Sequence, residues 1–219
     1  MLKTILLTGA TDGIGLQAAH QIAKQGHTLL LHGRNKVKLE KLQKALSERP
    51  ETGQIEIYTA DLSVLAEVEA FAKAVIEQHT NLDVLINNAG VFRAPSATTA
   101  SGLDIRFVVN TLSPYLLTKR LLPLMHADGR VVNLSSAAQS PVNLEAMTGK
   151  IQLQAGEAYA QSKLAITMWT RTMAEAVKPN GPIFYAVNPG SLLATKMPIL
   201  NHALMTMPPA FRPHIPWKW

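Results

Sequence analysis

The chain has 219 residues, 47% of them hydrophobic, and no cysteine. That suits one globular domain with a sizeable core and excludes disulfides, thiolate metal sites and cysteine nucleophiles. A formal charge of +6 raises nucleic acid as a partner, but the basic residues are spread among acids, and the basic stretch from Arg34 to Arg49 has no interleaved aromatics, so none is expected.

The seven His are scattered without metal-ligand spacing, and no metal is expected. The apolar start Ile5-Leu6-Leu7 ends at Thr8-Gly9, too soon for a signal peptide or a membrane span. With no cysteine to oxidise, a cytoplasmic address is expected.

In chain order, Lys3 to Thr8 reads as a short buried strand, and Thr8-Gly9-Ala10-Thr11-Asp12-Gly13-Ile14-Gly15 follows directly, opening a helical pattern through Gln25. Glycines let the backbone approach a pyrophosphate, and the helix start offers free N–H groups and a positive dipole end. A tight turn without a ligand would use the same letters. Thr28 to His32 is a second strand, followed by Gly33-Arg34-Asn35 and a charged helix to about Glu48. An acid at that strand end would suit the ribose hydroxyl of NAD, whereas an Arg suits the 2′-phosphate of NADP. Arg34 therefore argues for NADP over NAD, with Lys36 and Lys38 adding field; the competing reading is ordinary solvated charge on a surface helix.

Gln54 to Thr59 is a third strand leading to Ala60-Asp61-Leu62-Ser63, where Ser63 is expected to cap a helix running to about Gln78. Asn81 to Ile86 is a fourth strand ending in Asn87-Asn88-Ala89-Gly90, small and amide residues that suit either a plain turn or close approach of a cofactor. From Ser101 to His126 the apolar spacing is helical, with a fresh helix expected at Ser113-Pro114. Asn110 lies inside that apolar stretch and needs partners, as a bridge between backbones or as part of a polar site.

Arg130 to Leu134 is a fifth strand ending in Ser135-Ser136, and residues from Ala137 to Glu157 read as a loop forming one wall of a substrate pocket. Tyr159 to Val177 is a helix that places Tyr159 and Lys163 one turn apart on one face. A phenol titrates at about pH 10, and a nearby cation favours its phenolate, which makes the pair a proton-transfer device in outline. Pro182 to Val187 is a sixth strand ending in Asn188-Pro189-Gly190. Six strands alternating with helices predict a single α/β domain, a Rossmann-type doubly wound parallel sheet, over residues 1–197. Residues 198–219 form a Pro- and Met-rich tail with no visible seventh strand.

Taken together these motifs resemble the short-chain dehydrogenase/reductase family: T-G-A-T-D-G-I-G at Thr8 to Gly15, D-L at Asp61, N-N-A-G at Asn87 to Gly90, Asn110, S-S ending at Ser136, Y-A-Q-S-K at Tyr159 to Lys163 and N-P-G at Asn188 to Gly190. The long Ser-to-Tyr loop and Q-S-K-L-A are most similar to the branch holding retinol dehydrogenases, protochlorophyllide reductases and WW-domain oxidoreductase-like proteins. The resemblance implies Tyr159 as general acid/base, Lys163 on the nicotinamide ribose, Ser136 on the substrate oxygen and Asn110 holding a relay water. It implies Gly9, Gly13 and Gly15 at the pyrophosphate, Asp61 at the adenine, Asn87 and Gly90 on the adenosine side, and Pro189 with Gly190 at the carboxamide. Thr11, Asp12, Ile14, Leu62, Ala89 and Thr195 complete the expected cofactor contacts.

Three positions depart from the family pattern: Thr195 lies five residues after Gly190 rather than four, Asp12 stands where some NADP-using members carry a basic residue, and the usual C-terminal helices and last strand are not evident. The function implied is interconversion of an apolar alcohol and a carbonyl with NADP. A homo-oligomer is compatible with the family pattern. The rival reading is a dinucleotide-binding regulatory or interaction protein with little turnover.

Overall fold

The computed structural model describes residues 2–190; Thr195, the boundary at 197 and the expected lack of a seventh strand lie outside the described residues. Strand β1 (Thr4–Leu7) places Ile5 and Leu7 in one core and Leu6 in the other, and β2 (Thr28–Gly33) does the same with Leu29 and Leu31 against Leu30. Because side chains alternate across a strand and both faces are covered, such strands read as continuous apolar runs. Helices α1 (Gly13–Ala23) and α2 (Lys36–Ser47) cover one face through Ala19, Ala23, Leu39 and Leu46. Helices α3 (Leu65–Gln78) and α5 (Ser113–Leu121) cover the other through Val68, Phe71, Val75, Leu117 and Leu121.

With β3 (Ile55–Thr59), β4 (Val84–Asn87), β5 (Arg130–Leu134) and β6 (Ile183–Val187), the sheet runs β3-β2-β1-β4-β5-β6, every pair parallel. This is the expected doubly wound sheet. The chain winds outward in opposite directions from β1 and β4, which opens a crevice at their carboxyl ends.

Several local expectations need correction. Ser63 does not cap α3: the helix starts two residues later, so Val64 holds the cap position and has no side-chain oxygen to accept from the first turn. An α-helix does start at Ser113-Pro114, but as the continuation of a longer helical run and not from a free end. A short α4 (Ile105–Phe107) runs through a π turn (Val108–Leu112), closed by Ser113 N–H on Val108 C=O, directly into α5. The wider turn accommodates Pro114, which has no N–H to give to the Asn110 carbonyl four residues back. Helix α7 (Ala155–Ala176) begins four residues before Tyr159, and the preceding loop contains a short α6 (Leu144–Met147) capped by Asn143.

One side chain ties the crevice together from below. His32, at the end of β2, accepts the Gly9 N–H on Nδ1 at 3.4 Å and donates from Nε2 to Ala60 C=O at 3.1 Å, with its ring stacked on Phe71. These partners assign the proton to Nε2. Burial lowers its pKa from 6.5 to about 4, only partly offset by the bond to Ala60 and by Asp61. The unfolded chain binds this proton first as pH falls, so stability is full above pH 6.5 and is lost as pH drops through about 4. The loss is about 3 kcal/mol. His32→Gln keeps an acceptor and a donor without titrating, and urea titrations should show a flatter dependence between those pH values; an unchanged slope would remove His32 from this role.

Candidate active site

The glycine-rich turn is built by steric necessity. Gly9 has φ +67°, and a Cβ there would lie 2.9 Å from the Ala89 Cα; at Gly15 a Cβ would lie 2.1 Å from the Gly9 carbonyl oxygen. Only glycine allows the first turn of α1 to press on the loop that precedes it. Asp12 caps that helix, accepting the Gly13 N–H at 2.8 Å. Asn88 holds the turn from the β4 side, donating from Nδ2 to Thr8 C=O at 2.8 Å and Gly9 C=O at 3.1 Å. Thr8 Oγ1 in turn accepts the Asn88 and Ala89 N–H groups.

A cleft of about 490 Å³ runs across these strand ends. Gly9, Thr11, Asp12, Gly13 and Ile14 line its middle; Arg34, Asp61 and Leu62 line one end; Ala89, Gly90, Tyr159, Lys163 and Pro189 line the other. Arg34 is exposed and, among the described residues, forms no salt bridge. Thr195 lies outside the described residues.

Other expected site residues sit behind the cleft wall. Gly15 packs α1 onto the turn. Asn87 turns inward, donating to Thr118 Oγ1 at 3.0 Å and Asn133 Oδ1 at 2.7 Å, while Asn133 donates to Thr170 Oγ1 at 2.8 Å. This buried chain joins α5, the sheet and α7. Gly190 ends the described chain with φ +86°, its N–H bonded to Asn188 Oδ1.

Asn110 projects from the π turn with every amide position used. Its Oδ1 accepts the Val91 N–H at 2.7 Å, and its Nδ2 donates to Val91 C=O at 2.9 Å and Ser162 Oγ at 3.0 Å. Ser162 Oγ donates to Tyr159 C=O, and Thr111 Oγ1 donates to Ser162 C=O. The π turn is thus stapled to the first half of α7, where Tyr159 and Lys163 share a face as the spacing predicts.

Lys163 is buried, and its Nζ donates to Leu134 C=O at 2.6 Å and lies 5.7 Å from the centre of the Tyr159 ring. Burial lowers its pKa to about 8. The Tyr159 phenol, also buried, is pushed up by burial and pulled back to a lesser degree by a hydrogen bond with Ser136. In the chain by itself, burial outweighs the expected cationic assistance, because the ammonium is directed at a carbonyl rather than at the phenol oxygen.

Several cleft residues were not among the expected site residues: His32, Asn88, Ser135, Phe92, Arg93, Ile105 and Val109. The end of β2 marked His32, and the second amide of N-N-A-G marked Asn88. Phe92, Ile105 and Val109 had no signal beyond being apolar. Among the described residues, no group of His, Asp or Glu could hold a metal ion, and no helix is long and apolar enough to cross a membrane.

A family model described as short chain dehydrogenase matches residues 3–202. Retinol dehydrogenase 13 of Homo sapiens is 35% identical over 195 residues, covering 86% of this chain and 58% of that protein. Retinol dehydrogenase 12 of Bos taurus is 33% identical over 221 residues, covering 99% of this chain and 70% of that one. The chain thus spans between 58% and 70% of these curated relatives. Among solved structures, a metagenomic short-chain oxidoreductase in complex with NADP superposes with a TM-score of 0.69 at 28% identity, covering 87% of this chain and 83% of that one. The glycine turn, the doubly wound sheet and the Tyr159–Lys163 face agree with this match over most of the length, and the chain belongs to the short chain dehydrogenase family.

Proposed function

We propose that the chain is an NADP(H)-preferring oxidoreductase that interconverts an alcohol and a carbonyl, with Tyr159 as general acid/base. The observation that carries this reading is one cleft with the exposed Arg34 guanidinium at one end and the buried Tyr159 phenol and Lys163 ammonium at the other, the phenol hydrogen-bonded to half-buried Ser136 behind the lining. The residues present fit a dinucleotide: a turn with glycine at 9 and 13 leading into the first turn of α1, and a cleft of about 490 Å³ lined by Arg34 and Tyr159. When bound, the nicotinamide supplies or accepts the hydride.

The chain's own residues do the rest. Arg34 attracts a ribose 2′-phosphate by a charge-assisted bond. Gly9 and Gly13 clear the path of the pyrophosphate, with Thr11, Asp12, Ile14, Asp61, Leu62, Ala89, Gly90 and Pro189 lining the same route. Tyr159 gives its proton to the carbonyl oxygen in reduction and takes one from the alcohol in oxidation, with Ser136 bonded to the same oxygen. Lys163 holds ribose hydroxyls and, while charged, favours the phenolate. The Asn110 carbonyl, denied a donor by Pro114, is suited to a water leading from Lys163 to solvent.

Val91, Phe92, Ile105 and Val109 line the cleft that also receives Tyr159, so the substrate we infer is an apolar alcohol or its carbonyl. The curated relatives are named for retinol, which is of that class. The lack of cysteine is in keeping with a cytoplasmic setting.

Tyr159→Phe should reduce turnover of apolar aldehydes with NADPH by about 10³-fold and leave NADPH binding nearly intact; wild-type turnover in that variant would end the assignment. Arg34→Ala should weaken NADPH by about tenfold to a hundredfold and barely alter NADH, read by fluorescence titration. A buried Lys with its pKa lowered to about 8 destabilises the ligand-free chain at neutral pH by about 3 kcal/mol. That deficit is relieved as pH climbs from about 8 through the unfolded value of 10.5. Lys163→Met should therefore stabilise the ligand-free chain at pH 7 by about 2 kcal/mol, after subtracting about 1 kcal/mol for the bond to Leu134, while turnover is lost. Loss of stability in that variant would show that the ammonium is better solvated than its burial implies.

A further inference from the structure

Phe92 is the second residue after the N-N-A-G motif, on an irregular segment between β4 and α4, and nothing in the motif pattern fixes it. Its ring meets the Tyr159 ring edge-on, with centroids 5.1 Å apart and planes at 84°. The Arg93 guanidinium lies over the Phe92 ring, 5.9 Å from its centroid. Both residues line the cleft. The residue before Phe92 is held at both backbone groups by Asn110, and the same amide reaches Tyr159 C=O through Ser162. Phe92 and Tyr159 are therefore positioned from one anchor, and the contact between the rings closes a circuit: Asn110 to Val91 to Phe92 to Tyr159 to Ser162 and back.

We propose that Phe92 is a positioning residue for the reaction, its ring fixing the direction in which Tyr159 presents its hydroxyl and keeping water off the phenol. The proposal rests on Tyr159 being the acid/base. The edge-to-face contact resists a swing of the whole phenol about its Cα–Cβ bond, the motion that would carry the hydroxyl out of place, and misplacement costs a proton-transfer step heavily. Exclusion of water holds the phenol in its neutral form, and burial is the larger of the two influences on its acidity. Among the described residues, Lys163 on the same helix lies 5.7 Å from the Tyr159 ring centre, Arg93 lies over the neighbouring Phe92 ring, and Arg106 on α4 is committed to Asp104. Ser136 on the β5–α6 connection is polar and uncharged.

The test is direct titration of Tyr159 by carbon NMR of full-length protein labelled at tyrosine Cζ, the resonance being assigned by its absence in Tyr159→Phe. Phe92→Ala should raise the acid dissociation constant of the phenol about tenfold and lower kcat by about tenfold to a hundredfold, with KM for NADPH unchanged. Arg93→Gln should leave the titration within about threefold of wild type. Phe92→Leu keeps water out without a ring edge, so its titration should match wild type while kcat falls. A wild-type titration in Phe92→Ala, a larger shift in Arg93→Gln than in Phe92→Ala, or wild-type kcat in Phe92→Leu would each overturn the proposal. If Phe92→Ala shifts the titration but no apolar carbonyl is turned over even by wild type, the ring contact stands and the proposed reaction fails.

Discussion

The burial of the Lys163 ammonium is the constraint on which the active end of this fold depends. An amine that keeps a proton away from water must be held by groups that do not move, and the sheet supplies them. Leu134 C=O, the last carbonyl of β5, accepts from Nζ, while Ser135 Oγ donates to the Lys163 carbonyl and Thr167 Oγ1 does the same from the next turn. The helix is fixed against β5 by Asn133 and Thr170, and against the π turn by Asn110, Thr111 and Ser162. Each of these polar groups is satisfied, which is the condition for a buried network to rigidify rather than destabilise. The ammonium is thereby kept beside the phenol at the expense of stability in the free chain.

The opposite end of the cleft follows a different logic. There the geometry is backbone: the turn after β1 is shaped by glycine, gripped by Asn88 from β4 and by His32 from β2. These two side chains come from the strands flanking β1, so the topological switch point is also where polar side chains can reach the turn from both sides. A neutral His32 is required for that grip, since a proton on Nδ1 would oppose the Gly9 N–H.

How much of this was legible depended on the range of the contact. Arg130 to Leu134 could be read as a strand because Val131 and Val132 are β-branched and the run is bounded by Gly129 and Ser135, and the structure has the same five residues in β5. The start of α7 could not be read, because Gln154 gives the helix no side-chain cap and the apolar rhythm becomes regular only near Tyr159. Ser63 looked like a cap by residue type, but the helix begins one residue too late for it, behind Val64. The π turn was invisible because a proline after an apolar run is more often a start than a continuation. At the site, residues whose chemistry is local to a motif, such as Gly9 and the Tyr159–Lys163 pair, were readable. Those defined by contacts between distant segments were not: Asn88 meets Thr8 across 80 positions and His32 meets Ala60 across 28.

The same distinction explains why the cleft has two unlike ends. In the function proposed, binding a charged dinucleotide calls for exposed charge and close backbone approach, which the exposed Arg34 and the glycine turn before α1 would provide. Moving a proton calls for the reverse, a site dry enough that Ser136, Lys163 and the phenol act on one another rather than on water. The sheet resolves the conflict by length: β2, carrying Arg34 at its end, and β5, carrying the Lys163 acceptor, are separated by β1 and β4. The apolar side chains after β4 and on α4 line the cleft on the side of buried Tyr159 and Lys163, whose acidities burial alters, and in the proposed function the same side chains form the substrate wall. On that proposal, substrate preference and acid–base tuning are properties of one wall, and a change there for the sake of one alters the other.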